Sequence, residues 1–213
     1  MATVVPIPAP LKEKLDAIDQ EVVLLHYKWT YLMQLFGKEE RISVINATAP
    51  SMFRVIEEAM FADILLAVMR LIDPPKSRNQ PNLSLRSLAA DIADPDLRGR
   101  VEAMEVEIRD KVKNIKTWRD KKLAHNDLLR HLKKSAPVPA IQISELTAAL
   151  SLIRKAMNLI HGHFFGHAVL YDQCMTEKDG NTLLFYLQYG LECWNEDRKK
   201  GDLSRARKIR KET

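Results

Sequence analysis

The sequence is poor in glycine and cysteine, and it has no long apolar segment. Only 7 of its 213 residues are Gly, which favours helices because glycine weakens a helix interior more than any residue except proline. The 2 cysteines, Cys174 and Cys193, are too few for a disulfide-stapled secreted domain and favour a reducing cytoplasm. No run approaches the roughly 18 consecutive apolar residues of a transmembrane helix, so no membrane partner is expected. The composition, 46% hydrophobic and 29% charged, also excludes wholesale disorder.

The spacing of apolar residues predicts an all-α protein, an antiparallel bundle of long helices. Within Leu11–Phe36, apolar residues alternate three- and four-residue steps and form one stripe. Good N-cap residues mark the starts of later helices; they are Ser51, Ser84, Asp94 and Ser144. The helix after Ser144 is predicted to carry His167 and Tyr171 on its apolar face. Lys76–Leu83 reads as a polar loop, and no convincing strand pair is present.

Three segments are expected along the chain. Residues 1–10, MATVVPIPAP, contain three prolines and lack the basic region of a signal peptide, so they are predicted to form an extended arm. Residues 11–196 are expected to form the helical domain, with a last helix from Thr182 to about Trp194. Residues 197–213 are then a basic C-terminal tail.

Basic residues are concentrated in two zones. The formal net charge is +5, from 33 basic and 28 acidic residues. Arg198–Thr213 carries eight Lys/Arg and two acids, and Arg109–Lys134 carries ten Lys/Arg and three Asp. The remaining chain is therefore acidic, and two compact basic zones on an acidic body favour a polyanionic partner. The alternative for the tail is a merely solvated basic segment.

The central basic zone contains residues suited to chemistry, in the segment K-T-W-R-D-K-K-L-A-H-N-D at 116–127. Arg119 lies where the next apolar residue after Val112 and Ile115 should be, so its charge must be paired or serve a site. His125 follows six residues later, about 240° around an ideal helix. These two side chains can meet only if the helix is irregular or if two copies of the segment face each other in a homodimer.

The residue types favour RNA cleavage without a metal. Histidine exchanges protons near neutral pH, and arginine can hold a phosphate bidentately and stabilise charge that develops on phosphorus. Neighbouring cations concentrate a polyanion. The ribose 2′-hydroxyl would be the nucleophile. The residues expected to bind RNA are Lys116, Lys121, Lys122 and Asn126, and no cofactor or metal is expected.

The segment R-D-K-K-L-A-H-N-D at 119–127 resembles the signature of HEPN domains, an Arg and a polar residue followed a few positions later by His. More narrowly, it is similar to the AbiU-type HEPN proteins of bacterial abortive infection. Two further stretches carry this likeness, R-L-I-D-P-P-K at 70–76 and N-L-S-L-R-S-L at 82–88. The resemblance covers roughly residues 11–171.

This resemblance implies a helical bundle, dimerisation and a ribonuclease toxin that acts in phage defence or toxin–antitoxin biology, with an antitoxin protein as a further partner. It carries Arg119, Asp120 and His125 onto the family's catalytic motif positions. Many HEPN domains have Asn or His where Asp120 stands, and some only bind RNA or nucleotides. A non-catalytic RNA- or nucleotide-binding module is therefore one alternative, and a helical scaffold that binds a partner through its basic tail is another.

Other polar residues have alternative readings. His163 and His167 are four apart and could share a metal ion, but His161 lies about 200° from His163 on an ideal helix, so packed or surface histidines are favoured. Gly162 and Gly166 are expected to allow close approach of a second helix, which could belong to a dimer partner.

Two groups of acidic residues are assigned structural roles. Asp63 lies in the most apolar helix and is expected to pair with Arg70 or with a cation of the basic zone. Glu102, Glu105 and Glu107 are expected to form a solvated face with partners such as Arg109.

Overall fold

The computed structural model describes residues 6–118, 141–173 and 176–212. It confirms the all-α class, a helical bundle with nine helices in the described residues. The helices are α1 (Ala9–Phe36), α2 (Glu39–Thr48), α3 (Pro50–Leu71), α4 (Leu85–Ala89), α5 (Pro95–Lys111), α6 (Lys113–Trp118), α7 (Ile143–Phe165), α8 (Gly180–Lys200) and α9 (Ser204–Glu212). The first helix therefore begins two residues before the predicted start of the domain at Leu11, and it includes the last two residues of the predicted arm. Within the described residues, no helix has the length and apolar character needed to span a membrane.

The described residues divide into two compact units. The first unit contains 6–28, 62–118 and 141–173, and the second contains 29–61 and 176–212. The first unit is built on the predicted α1 stripe, whose first five members are at most 1% exposed; they are Leu11, Leu15, Ile18, Val22 and Leu25. Each such burial stabilises the fold by about 1.5–3 kcal/mol before entropy is counted. The stripe is therefore the main apolar surface that α1 gives to this unit.

Short-range chemistry sets several helix starts in the first unit. The backbone N–H of Ser87 donates to Ser84 Oγ at 3.2 Å, and the N–H of Ser84 donates to Ser87 Oγ at 3.1 Å. At the next start, Asp94 Oδ1 accepts from the N–H of Leu97 at 2.8 Å, with Pro95 at the first helical position. These two predicted N-caps are confirmed.

Two other predicted N-caps are wrong. α3 begins at Pro50, so Ser51 lies inside the helix, and only Ala49 separates α3 from the unpredicted α2. Proline tolerates the first helical position because its missing N–H has no partner there in any case. α7 begins at Ile143, so Ser144 is helical too, and the Glu145 carboxylate accepts from the Gln142 N–H at 3.4 Å.

The predicted polar loop contains a small antiparallel hairpin, β1 (Lys76–Ser77) and β2 (Gln80–Pro81). Its turn residues, Arg78 and Asn79, have φ values of 48° and 66°. Two consecutive residues with positive φ match the twist of a two-residue hairpin, and Asn adopts this region more readily than most residues. The Asn82 Nδ2 donates to the Pro74 carbonyl at 2.7 Å and holds the hairpin base closed.

α7 ends earlier than predicted. Gly166 has a φ of 69° and forms its left-handed C-cap, so His167 and Tyr171 lie after the helix and not on its apolar face. An added Cβ at Gly162 or Gly166 would have nothing within 4 Å, so no helix in the described part of this chain approaches them closely. The approach of a helix from a dimer partner stays a prediction. Gly166 is needed for its backbone conformation.

The second unit packs α8 against α2 and the end of α1. Its core contains Leu35, Ile45, Phe53 and Leu184. α8 runs to Lys200, so the predicted boundary between 196 and 197 lies within it, and residues 204–212 of the predicted tail form α9. Gly201, with a φ of 71°, makes the left-handed turn between α8 and α9.

Candidate nucleic-acid interface

The segment that leads to the predicted motif consists of α5 and α6. Val112 interrupts the helix, with φ −102° and ψ 13°, and α6 continues to Trp118. Val112 and Ile115 are nevertheless buried, at 1% and 0% exposure, so the apolar stripe continues across the break. The packed stripe fixes the helix that precedes the motif.

Most of the predicted site lies outside the described residues: Arg119, Asp120, Lys121, Lys122, His125 and Asn126. Lys116 is described and is exposed on α6. The break at Val112 precedes Arg119 by seven residues, so it lies outside the interval from Arg119 to His125. The meeting of these two side chains remains a prediction.

Exposed cations surround the described end of this segment. Lys111, Lys113 and Lys116 are all exposed. Lys113 Nζ lies 3.5 Å from Asp110 Oδ1, but both side chains are 71% exposed, so solvent weakens the pair. Between the interruption and the motif, the helix therefore offers solvent-facing ammonium groups to a polyanion.

One cation of the zone is occupied by a structural contact. Arg109 pairs with Glu105, whose side chain is only 5% exposed, and its Nη2 also donates to the Ile72 carbonyl at 3.3 Å. The prediction that Glu105 belongs to a solvated face is therefore wrong, although Glu102 and Glu107 are exposed. Glu105 is buried because it lies four residues from Val101 on the core side of α5.

Asp63 is also paired, but not with the predicted residue. Its carboxylate contacts the ammonium group of Lys28 on α1. Arg70 lies 3.6 Å from Glu21 instead. Both pairs lie within the first unit and join α1 to α3.

A second polar cluster, which the sequence did not predict, joins α1 to α7. His161 Nε2 lies 2.8 Å from Asp19 Oδ2, and the Tyr171 hydroxyl donates to Asp19 Oδ1. His161 is 6% exposed, Tyr171 is 2% exposed, and His161 Nδ1 is buried without a hydrogen-bond partner in the described part of the chain. Burial, and then the Asp19 carboxylate, raise the pKa of Tyr171 far above its usual 10, so the phenol remains a donor.

His163 and His167 pack against different neighbours. His167 follows Gly166 and lies beside His161, with ring centroids 5.6 Å apart and ring planes tilted by 39°, and His163 packs edge-on to Phe164. Across the three described ranges, no group of three or more His, Cys, Asp or Glu residues could hold a metal ion. His163 and His167 do not lie four residues apart on one helix face, because the helix ends between them at Phe165.

A shallow cleft of about 350 Å³ lies between the start of α5 and the end of α7. Asp94, Asp96, Arg100 and His163 contribute its charged or titratable side chains. Asp94 is already used as an N-cap, and the acids offset Arg100. The cleft therefore has none of the cation excess that would favour a phosphate group.

One protein family matches the chain. The model of the HEPN_AbiU2 family, described as AbiU2, matches residues 8–188, which covers the motif at 119–127 and ends within α8. No curated protein and no solved structure matches the chain.

Proposed function

The chain belongs to the AbiU2 family of HEPN proteins, and we propose that it is a metal-independent endoribonuclease of abortive infection. The observation that carries this proposal is the family match across residues 8–188, within which R-D-K-K-L-A-H-N-D supplies an Arg and a His. The exposed lysines of α5 and α6 support it, because they present cations next to the motif.

In the proposed reaction, the ribose 2′-hydroxyl attacks the adjacent phosphorus and the 5′-oxygen of the next nucleotide leaves. His125 exchanges the proton at one of these oxygens. Arg119 holds the phosphate and stabilises the charge that develops on it. Asp120 orients one of these two side chains. Lys116, Lys121, Lys122 and Asn126 hold the RNA, and a second copy of the chain completes the cleft.

The test is a cleavage assay on RNA with EDTA present. The expected products carry a 2′,3′-cyclic phosphate, because the 2′-oxygen has displaced the 5′-oxygen. The same assay with RNA whose 2′-hydroxyls are replaced by methoxy groups should give no cleavage. A requirement for a divalent ion, or cleavage of the methylated RNA, would contradict the mechanism.

The second candidate is a HEPN module that binds RNA or nucleotides without cleaving them. The departure at Asp120, where many HEPN motifs have Asn or His, favours this candidate. It predicts salt-dependent RNA binding, no products and no effect of His125→Ala on affinity. The third candidate, a scaffold that binds a protein partner through its basic C-terminal segment, predicts that the motif is dispensable.

A further inference from the structure

The solvent side of α8 carries an unusual number of exposed aromatic rings. Phe185, Tyr186 and Tyr189 are 64%, 61% and 59% exposed, and Trp194 is 45% exposed. At 100° per residue these first three rings lie on the half of the helix opposite Leu184, which faces the core of the second unit. Single exposed apolar side chains are common on protein surfaces, but several large ones grouped on one face usually mark an interaction surface.

Two of these rings are nearly parallel, and the third meets one of them edge-on. Phe185 and Tyr189 have centroids 6.3 Å apart and an interplanar angle of 15°, and Tyr186 meets Phe185 at 65°. The four-residue spacing of Phe185 and Tyr189 places both rings on the same row of the helix. We name this group, Phe185, Tyr186 and Tyr189, the aromatic platform.

A basic helix lies beside the aromatic platform. Arg205 of α9 pairs with Asp197 of α8 at 3.7 Å. A groove of about 320 Å³ between the two helices is lined by residues that include Tyr189, Trp194 and Ile209. Arg207 and Lys208 are exposed on α9. The sequence Arg198–Thr213 carries eight Lys/Arg and two acids, and its described cations lie on α8 and α9, the two helices that line this groove.

We propose that the aromatic platform and α9 together bind single-stranded RNA, with bases stacked on the rings and phosphates contacting Arg207 and Lys208. The identity of the polyanion as RNA rests on the proposed function. Aromatic side chains beside a basic track are the usual means of holding unpaired bases without sequence preference. Double-stranded RNA cannot present free base faces to the rings. The family match ends at 188, so Tyr189 and α9 lie outside it.

Charge argues against a second copy of the chain as the occupant. The segment Arg198–Thr213 has a net charge of +6, eight basic minus two acidic residues. Two such segments brought together would repel each other, whereas RNA neutralises both.

The first experiment measures the affinity of a fluorescent single-stranded RNA by anisotropy, in a His125→Ala background so that the RNA stays intact. Tyr189→Leu and Phe185→Leu keep apolar bulk but remove the aromatic face, and each should weaken binding roughly tenfold. Tyr189→Phe keeps the ring and should bind within about twofold of the parent. Leu170→Ala, at a 60% exposed apolar position in the first unit, is the matched control and should have no effect.

The salt dependence separates the rings from the cations. Each lost phosphate contact should lower the slope of log K against log salt by about 0.7 for a single strand. Arg207→Gln and Lys208→Gln should therefore flatten the slope, whereas the leucine variants should lower the affinity and leave the slope unchanged. Removal of Ser204–Thr213 should flatten it most.

Three results would overturn the proposal. One is equal affinity of the parent and both leucine variants for single-stranded RNA. Another is equal affinity of the parent for the same sequence as a duplex and as a single strand. The third is a change from dimer to monomer in the leucine variants with RNA affinity unchanged, which would assign the face to contact between copies. The proposed ribonuclease activity can fail independently. If the wild-type protein binds RNA through the aromatic platform but does not cleave it, the binding proposal stands and the catalytic proposal is wrong.

Discussion

Asp19 of α1 and His161 of α7 are joined at 2.8 Å, although 142 positions separate them in the sequence. The Tyr171 hydroxyl donates to the same carboxylate from the segment after α7. One carboxylate therefore fixes three parts of the first unit to each other. The hydrogen bond from the Tyr171 phenol fixes the segment that follows α7 to the Asp19 carboxylate of α1.

Tyr171→Phe should destabilise the protein by about 1.5–3 kcal/mol, the usual worth of a buried hydrogen bond to a charged group. The free energy of unfolding in urea measures this. The matched control is Tyr31→Phe, whose hydroxyl meets Thr176 Oγ1 at 3.1 Å in an exposed contact, and it should cost less. Equal stability of the two variants would show that Asp19 does not depend on the phenol.

His26 should make the protein less stable in mild acid. Burial, followed by the charge of Arg154, lowers the pKa of His26 below its usual 6.5. As the pH falls below 6.5, the unfolded chain takes up a proton before the folded chain does, so the free energy of unfolding falls by up to about 1.4 kcal/mol per pH unit. Above this range both states are neutral and the effect disappears.

His26→Asn tests this because the amide can still donate to the Val22 carbonyl, which accepts from His26 Nδ1 at 2.9 Å in the wild type. Urea unfolding of both proteins from about pH 5 to about pH 8 gives the comparison. The stability of the wild type relative to the variant should decrease toward low pH. His167→Asn, at an exposed position, is the control, and an identical pH dependence in wild type and His26→Asn would exclude the effect.

Arg109→Met should be more costly than an ordinary surface charge deletion, because it leaves the carboxylate of Glu105, 5% exposed, without its cation. Since Arg109 itself is 47% exposed, we expect about 1–3 kcal/mol and not the full cost of a buried pair. Adding Glu105→Gln should recover most of the loss in a double-mutant cycle.

The control is Lys113→Met, which removes a solvent-exposed partner of Asp110 and should cost under about 1 kcal/mol. If Lys113→Met destabilised the protein as much as Arg109→Met, the burial argument would be contradicted.

Local patterns predicted the helices that depend on local chemistry. Ser84 and Asp94 begin helices through hydrogen bonds to the backbone three residues further on, and both predicted starts are confirmed. α2 was missed because Ile45 is its only fully buried residue among polar neighbours, so no stripe marks it. The pairing of His161 with Asp19 was missed for another reason: Asp19 is distant in sequence, and no periodicity within α7 reveals it.

The candidate catalytic site was predicted from residue types and a family resemblance, and family membership is now shown. Its internal geometry was not predictable, because Arg119 and His125 diverge on a straight helix and their approach depends on the backbone of 119–140 or on a second chain. The aromatic platform was missed because Phe185, Tyr186 and Tyr189 look like core residues of an amphipathic helix until the partner surface is known. The amino-acid composition of a helix does not show which of its faces packs against the rest of the protein.

Loss of either motif side chain should abolish RNA cleavage with different kinetic signatures. His125→Ala removes proton transfer and should lower kcat by ~10²–10⁴ with little change in RNA affinity. Arg119→Ala removes a phosphate contact and should raise KM as well as lower kcat. Single-turnover cleavage with EDTA present, alongside a circular dichroism check of folding, separates the two. A well-folded His125→Ala protein that still cuts RNA would remove His125 from the mechanism.

A composite site in a homodimer has a distinct signature in mixing experiments. Arg119→Ala and His125→Ala proteins, each inactive, should together regain about a quarter of the wild-type activity if each site takes one residue from each copy, because half of the dimers are mixed and one of their two sites is intact. Light scattering at micromolar concentration provides the mass. No regained activity from verified mixed dimers, or full activity in a strict monomer, would contradict a shared site.

The contacts at the start of α8 set the direction of the helix that carries the aromatic platform. Gln34 of α1 accepts from the Gly180 N–H at 3.0 Å and donates to Asp179 at 2.7 Å, and a Cβ at Gly180 would lie 3.0 Å from Gln34. Trp194 lies about 20 Å along the helix from this anchor. At this distance, a tilt of the helix axis by about 10° at Gly180 would displace Trp194 by about 3 to 4 Å. A single methyl group added at Gly180 would therefore change the position and orientation of aromatic rings that lie far from it along α8.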